Sequence, residues 1–435
     1  MSHTPFHLGF FASFGPPSWQ AVDDRLNGDG WWTGDFYDDL ARRLEEAKVE
    51  YLFFEDNSAV SNAVGGVMDA DLRFTIYSPK HDPVALLSRL SGSTERIGLI
   101  ATASTTFYPP FILARQFSTI DSLSGGRAGW NIVTSTETAA AQNFGMDDMP
   151  AHGLRYEMAD EFVGVAKKLW AAWEPDALVR DVEANTYVDP SKVNPIDHKG
   201  THYSVRGPLN TLPSPQGRPL LVQAGSSDSG RDFAAKHADL VFQTAELGVA
   251  GMKAFREDIR ARAEKFGRDP DEIKVTFAAF VNFAPDGQED WTPPSLTDAQ
   301  LDYALAFWST MVNFDLSTFP LDEPFPADLE PTGHTGMFME LQELGKRGVP
   351  LGEAIGSLYA GKGTDFNGTP EQIAEKMIAA MDEIGGDGLM IVGSKLSTAA
   401  FLENVTDKLI PELQRRGAIR SEYAPGTLRE RLLAS

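Results

Sequence analysis

The stretch Ser124-Gly125-Gly126-Arg127-Ala128-Gly129-Trp130-Asn131-Ile132-Val133-Thr134-Ser135 decides the fold. Two glycines open conformations closed to other residues, and Ile132 and Val133 suit a buried strand. Asn131, Thr134 and Ser135 then carry hydrogen-bonding groups to the strand's exit. By itself the stretch fits a functional strand end and an ordinary parallel strand with a polar exit equally well. Its neighbours break the tie.

Seven more apolar runs surround it: Leu8–Phe11, Tyr51–Phe54, Ile97–Ala101, Leu220–Gln223, Leu240–Phe242, Lys274–Phe283 and Gly388–Val392. Between them lie amphipathic segments. Phe36, Leu40, Leu44 and Ala47 share one helix face, and helical stretches are expected over 111–123, 156–173, 231–237, 249–266, 371–384 and 399–416. Eight strands alternating with helices predict an α/β chain closed as a (β/α)8 TIM barrel, with a doubly wound open sheet as the alternative. Two irregular, Pro-, Gly- and Asp-rich inserts, about 176–219 and 284–369, are expected to decorate one domain spanning 1–435 and to cover its C-terminal face.

Composition narrows the function. The chain has 435 residues with a net charge of −24, which opposes nucleic acid and anionic membrane surfaces as partners. It has no cysteine, which removes thiolate chemistry and fits a cytoplasmic protein. Neither a signal peptide nor a membrane span is expected, and the eight histidines lack metal-ligand spacing. Gly356 to Gly363 approaches a phosphate-binding loop but places Gly363 where Ser or Thr must follow Lys362.

In a barrel of this kind the site lies where strands end. Those ends read Glu55-Asp56-Asn57, Thr102-Ala103-Ser104-Thr105-Thr106, Asn131 with Thr134 and Ser135, and Ala224-Gly225-Ser226-Ser227. Hydroxyls and amides predominate, suiting a polar ligand with many acceptors. Ser226, Ser227 and Asp228 open a helix, where they serve either a phosphate or a plain N-cap. His152 and Tyr156 stand four residues apart on one helix face, able to share a ligand oxygen, while a surface or capping histidine fits the same pattern.

Several ordered motifs carry a resemblance over most of the chain: ATASTTFYPP at 101–110, the opening stretch, HGLRY at 152–156 with ADEF at 159–162, RGPL at 206–209, QGRP at 216–219 and QAGSS at 223–227. They resemble the nitrilotriacetate and dibenzothiophene-sulfone monooxygenases of the bacterial luciferase-like group. The resemblance implies a (β/α)8 barrel using FMN as FMNH2 together with O2, and a separate NAD(P)H:flavin reductase. It also implies transfer of one oxygen atom to a small organic substrate through a flavin C4a-(hydro)peroxide. As flavin contacts it implies Asp56, Thr102, Ser104, Asn131, His152, Tyr156 and Ser226 or Ser227, with Asn131 and Thr102 nearest the chemistry. A homo-oligomer, dimer or tetramer, is expected. Phe11, Phe54, Phe107 and Trp130 are candidate walls of the site or plain core. Trp19, Trp31, Trp32 and an acidic second insert with Trp291, Trp308, Phe314 and His334 are candidates for substrate selection, leaning to a neutral, apolar or heteroaromatic substrate. Alternatives are hydride transfer with a deazaflavin or flavin on the same barrel, and a flavin-binding protein without turnover.

Overall fold

Eight parallel strands close on themselves in sequence order: β1 (His7–Ser13), β2 (Tyr51–Glu55), β3 (Gly98–Ser104), β4 (Ala128–Val133), β5 (Leu220–Gln223), β6 (Leu240–Gln243), β7 (Lys274–Ala279) and β8 (Gly388–Val392). A computed structural model describes residues 5–17, 30–243, 248–292, 294–330, 335–359, 366–393 and 398–434. All eight expected strands are there, and closure rules out the open sheet. The run at 274–283 splits, β7 ending at Ala279 while Asn282–Phe283 pairs with Asn367–Gly368.

Inside the barrel, Gly9 is needed because the Tyr51 ring occupies the space a side chain would take, 2.2 Å from an ideal Cβ. Tyr51 then donates across the interior to Thr276 Oγ1 at 3.1 Å. One level higher, Phe11 stacks on Phe53 and Phe242 at 5.4 and 5.7 Å. Around the strands pack α1 (Asp35–Glu46), α2 (Pro83–Ser93), α3 (Pro110–Leu123), α4 (His152–Trp170), α5 (Asp228–His237), α6 (Gly248–Lys265), α7 (Pro370–Ile384) and a helical run over Ala399–Glu403, Asn404–Leu409 and Ile410–Arg415. Periodicity alone gives no helix at α2, because Ser91, Gly92 and Ser93 blur its end. Asp82 starts it, accepting from Val84 N at 2.8 Å, with Pro83 in the first turn.

The inserts are more ordered than their composition suggests. The first folds into two antiparallel pairs, Leu178–Asp181 with Thr186–Val188 and His198–Lys199 with Ser204–Val205. The second holds helices Asp298–Val312, Thr335–Lys346 and Leu351–Tyr359, and the first of these opens with a Thr297/Gln300 capping box. Trp308, Phe325, Phe338, Leu341 and Ile355 form a core of its own there. Trp308 and Phe314 therefore belong to the insert's packing, not to a substrate pocket. Trp31 is buried, Trp32 is exposed, and Trp19 and His334 lie outside the described residues.

At the barrel floor the chain's last segment closes the structure. Leu428 fills the space at Gly98, and its N–H donates to Gly126 O at 2.9 Å. Gly126 has φ +88°, and a Cβ there would meet Thr427 at 2.7 Å, so the turn needs glycine twice over. No described helix is long and apolar enough to cross a membrane.

Candidate active site

β3 and β4 run in register with Thr102 opposite Asn131, so two polar side chains meet on the inner wall near the mouth. Thr102 Oγ1 donates to Phe54 O at 2.8 Å and accepts from Asn131 Nδ2 at 2.8 Å. Asn131 Oδ1 is buried and has no partner. A buried acceptor left unmatched costs about 1–3 kcal/mol, a cost that a water or a ligand donor at this point would relieve.

Past these strands, Ser135 donates to Ser104 Oγ at 2.9 Å. That bond helps to hold Ser135 in the left-handed region at φ +54°, a conformation costing about 1–2 kcal/mol for a residue with a side chain. Thr134 and Ser227 both bond Tyr156, whose hydroxyl is pushed above its ordinary value by burial. Tyr156 also packs on His152 at 5.1 Å and on Phe233 at 5.7 Å. Burial and the Arg155 charge lower the basicity of His152, leaving a neutral imidazole at pH 7.

Ser227 is the N-cap of α5, accepting from Gly230 N at 3.1 Å, whereas Ser226 gives its carbonyl to Arg231 Nε at 2.9 Å. The cap and the site are one structure here. An ideal Cβ on Gly230 would lie 2.9 Å from the Tyr156 hydroxyl and 3.1 Å from Gly225 Cα. Two glycines thus bring a helix start, its free N–H groups and two hydroxyls together around one point.

Asp56 follows β2. Burial, with the Glu55 and Asp82 carboxylates adding to it against the pull of Lys80, pushes its carboxyl up to about 8. Lys80, its side chain 9% exposed, grips both oxygens of Glu55 at 2.8 Å. Above this pair, Tyr77 donates to Met311 Sδ at 3.5 Å and bonds Glu137, tying the second insert to the mouth. Tyr303, Phe307 and Tyr359 complete an aromatic cluster with Phe74 and Tyr77.

The expected residues therefore fall into two groups, Thr102 with Asn131 and Tyr156 with His152 and Ser227, with Ser104 tied to Ser135. Asp56 stands apart beside Lys80. Of the candidate walls, Phe11 faces the interior, and Phe107 stacks on Phe144 at 4.4 Å. Phe54 and Trp130 do not line the site: they point outward, Phe54 against Tyr37 and Trp130 against Phe117, Phe162 and Trp170. Strand alternation puts them there, one position off the inward Phe53 and Asn131. Sequence reasoning missed Lys80, Tyr77, Arg155 and Gly230. Arg155 is buried with an unpartnered Nε, donating through another nitrogen to Pro150 O at 3.0 Å. Its place in HGLRY was the available signal.

Among the described residues no group of three or more His, Cys, Asp or Glu side chains is arranged to hold a metal ion.

Residues 33–388 match the family model described as luciferase-like monooxygenase. The chain is 37% identical over 426 residues to an N-acetyl-S-(2-succino)cysteine monooxygenase of Bacillus subtilis, covering 95% of this chain and 92% of that protein. It is 35% identical over 460 residues to a dibenzothiophene-sulfone monooxygenase of Rhodococcus erythropolis, covering 98% and 96%. Its fold superposes with a TM-score of 0.86 on a riboflavin lyase solved with modified FMN and riboflavin, at 30% identity over 99% of this chain and 96% of that one.

Proposed function

We propose, from the premise that this chain belongs to the luciferase-like monooxygenase family, that it is an FMNH2-dependent oxygenase of a neutral, apolar or heteroaromatic small molecule. The observation that carries the reading is the α5 start, where Gly225 and Gly230 let the helix N–H groups and the Ser227 and Tyr156 hydroxyls draw close together, a donor set suited to a phosphate. The unmatched Asn131 Oδ1 at the strand ends suits an N–H of the ring system. When bound, reduced FMN supplies the two electrons with which O2 is split, one oxygen atom going to substrate and one to water.

The chain's own residues then have separate tasks. Ser226 or Ser227, Tyr156 and His152 hold the phosphate end, with His152 a hydrogen-bonding imidazole and not a cation. Thr102 fixes Asn131, and Ser104 fixes Ser135. Asp56 keeps its proton near neutral pH and donates it to an oxygen at the mouth. Phe11 beneath and the Tyr77, Tyr303, Phe307, Met311 cluster above exclude water, so that activated oxygen reaches substrate before it is lost. The two inserts cover the C-terminal face of a single barrel domain. A separate cytoplasmic reductase delivers the FMNH2.

Anaerobic titration tests the core of this reading. Replacing Ser226 and Ser227 together by Ala should weaken reduced FMN at least tenfold and reduced riboflavin much less. Equal losses for both ligands would remove the serines from the phosphate, and no binding of reduced FMN by the native protein would end the proposal. Turnover requires O2 uptake that depends on a reductase and rises with an apolar substrate.

A further inference from the structure

On α4, Asp160-Glu161 and Lys167-Lys168 stand seven residues apart, two turns along the helix. Each lysine meets a histidine that one of the acids holds. Lys167 Nζ lies 3.2 Å from His237 Nδ1, while His237 Nε2 lies 2.7 Å from Asp160 Oδ1. Lys168 Nζ lies 3.3 Å from His198 Nδ1, while His198 Nε2 lies 2.9 Å from Glu161 Oε1. In both, the carboxylate takes the Nε2–H and turns the Nδ1 lone pair toward the amine.

The surroundings differ. Lys168 is exposed, whereas Lys167 is half-buried between α4 and α5. Around Lys167 stand Lys236 on α5, Arg218 before β5, Arg268 after α6 and Arg429 of the helix Leu428–Leu433, against Asp160, Asp239 and, beyond Arg268, Glu272. In a chain of net charge −24 this is a locally cationic spot. Burial first, then Arg218 and Arg268, draw the Lys167 amine down to about 8 against the pull of Asp239 and Asp160. Burial also keeps His237 neutral, so its lone pair stays available as a base.

We propose that Lys167 is a covalent modification site, an amine activated by the Asp160–His237 relay that takes the acyl group of a small anionic donor of the acyl-phosphate class. The unprotonated nitrogen attacks the acyl carbon. A C–N bond forms, the C–O bond to phosphate breaks, and phosphate leaves with the electron pair. The surplus amine proton passes to His237 Nδ1 and on to water. Arg218, Arg268 and Lys236 draw the phosphate in, and acylation removes one of the links between α4 and α5, leaving those of Asp160 to His237 and Lys236.

The test uses the whole purified protein with acetyl phosphate, reading acetylation of each lysine by peptide mass spectrometry. At pH 7.5 about a quarter of an amine titrating at about 8 is unprotonated, against about one in a thousand for an ordinary lysine. Lower basicity blunts nucleophilicity, so Lys167 should react at least tenfold faster than Lys168. Its rate should level off above about pH 8. His237→Gln should cut the Lys167 rate several-fold and leave Lys168 unchanged. Lys167 reacting no faster than Lys168, or with no plateau in the native protein, overturns the proposal, as does an unchanged rate in a folded H237Q variant.

Discussion

The two ends of β4 draw on the same polar vocabulary and use it in opposite ways. At the floor, Arg127 spends its donors completely: Nε on Ser124 O, one terminal nitrogen on Thr94 Oγ1 and Ile97 O, the other on Ser91 O and Thr94 O, all within 3.1 Å. Asp121 beside it accepts from Ala128 N at 3.1 Å and from Gln216 Nε2 at 2.6 Å. At the mouth, Asn131 keeps a buried oxygen unmatched, Arg155 a buried nitrogen, and Asp56 a carboxyl lifted to about 8. Along β4 the saturated groups at the floor hold the fold, whereas the unsaturated ones at the mouth are those to which a ligand is assigned above.

The sharpest way to break that comparison is Arg127→Leu. Five bonds disappear and several buried carbonyls lose their donors, so urea unfolding should show a loss of about 3 kcal/mol or more. A loss under about 1 kcal/mol would mean that the floor's bonds stabilise nothing.

Asp56→Asn tests the mouth through pH. The folded carboxyl titrates at about 8 against an ordinary 3.8, so the unfolded chain releases its proton first as pH rises. This group's contribution to stability is therefore whole below about pH 4, is lost progressively up to about pH 8, and is flat beyond that. The variant should gain on the native protein across that window, by no more than a few kcal/mol because the site is partly open to water. A stability difference that stays constant with pH would show an ordinary, ionised Asp56.

Asn131→Leu comes next. The side chain makes one bond, to Thr102, which keeps its own bond to Phe54 O. Unfolding free energy should change by less than about 1 kcal/mol, while reduced FMN weakens by roughly 1–3 kcal/mol. The reverse pattern, a large loss of stability with unchanged binding, would make Asn131 a floor-type residue.

How much of this was legible in the chain follows the same division. Every barrel strand was readable because alternation and β-branched content are local properties, and so was the location of the mouth, because polar residues end each apolar run. Gly230 and Tyr156 were not visible as neighbours, since 73 residues and the whole first insert lie between them. Lys80 follows β2 only after an irregular stretch with the short helix Asp69–Phe74, and gives no periodic signal. The helices of the second insert were hidden by the Pro and Gly around them, although Thr297 and Gln300 spell a helix start.

Trp130 marks the limit of such reading, and it gives the smallest expected effect. It is the neighbour of Asn131 and has the right chemistry to wall a flavin, yet the pleat turns it outward, where its indole N–H donates to Ala103 O at 2.9 Å. Trp130→Phe removes that bond and leaves a small void among Phe117, Phe162 and Trp170, costing about 1–2 kcal/mol. Because the change is on the far side of the strand, reduced-FMN affinity should stay within about twofold, below about 0.4 kcal/mol. If binding fell tenfold with little loss of stability, Trp130 would face the ligand, and the inward direction assigned to Asn131 would be wrong with it, since adjacent residues of one strand cannot point into the same space.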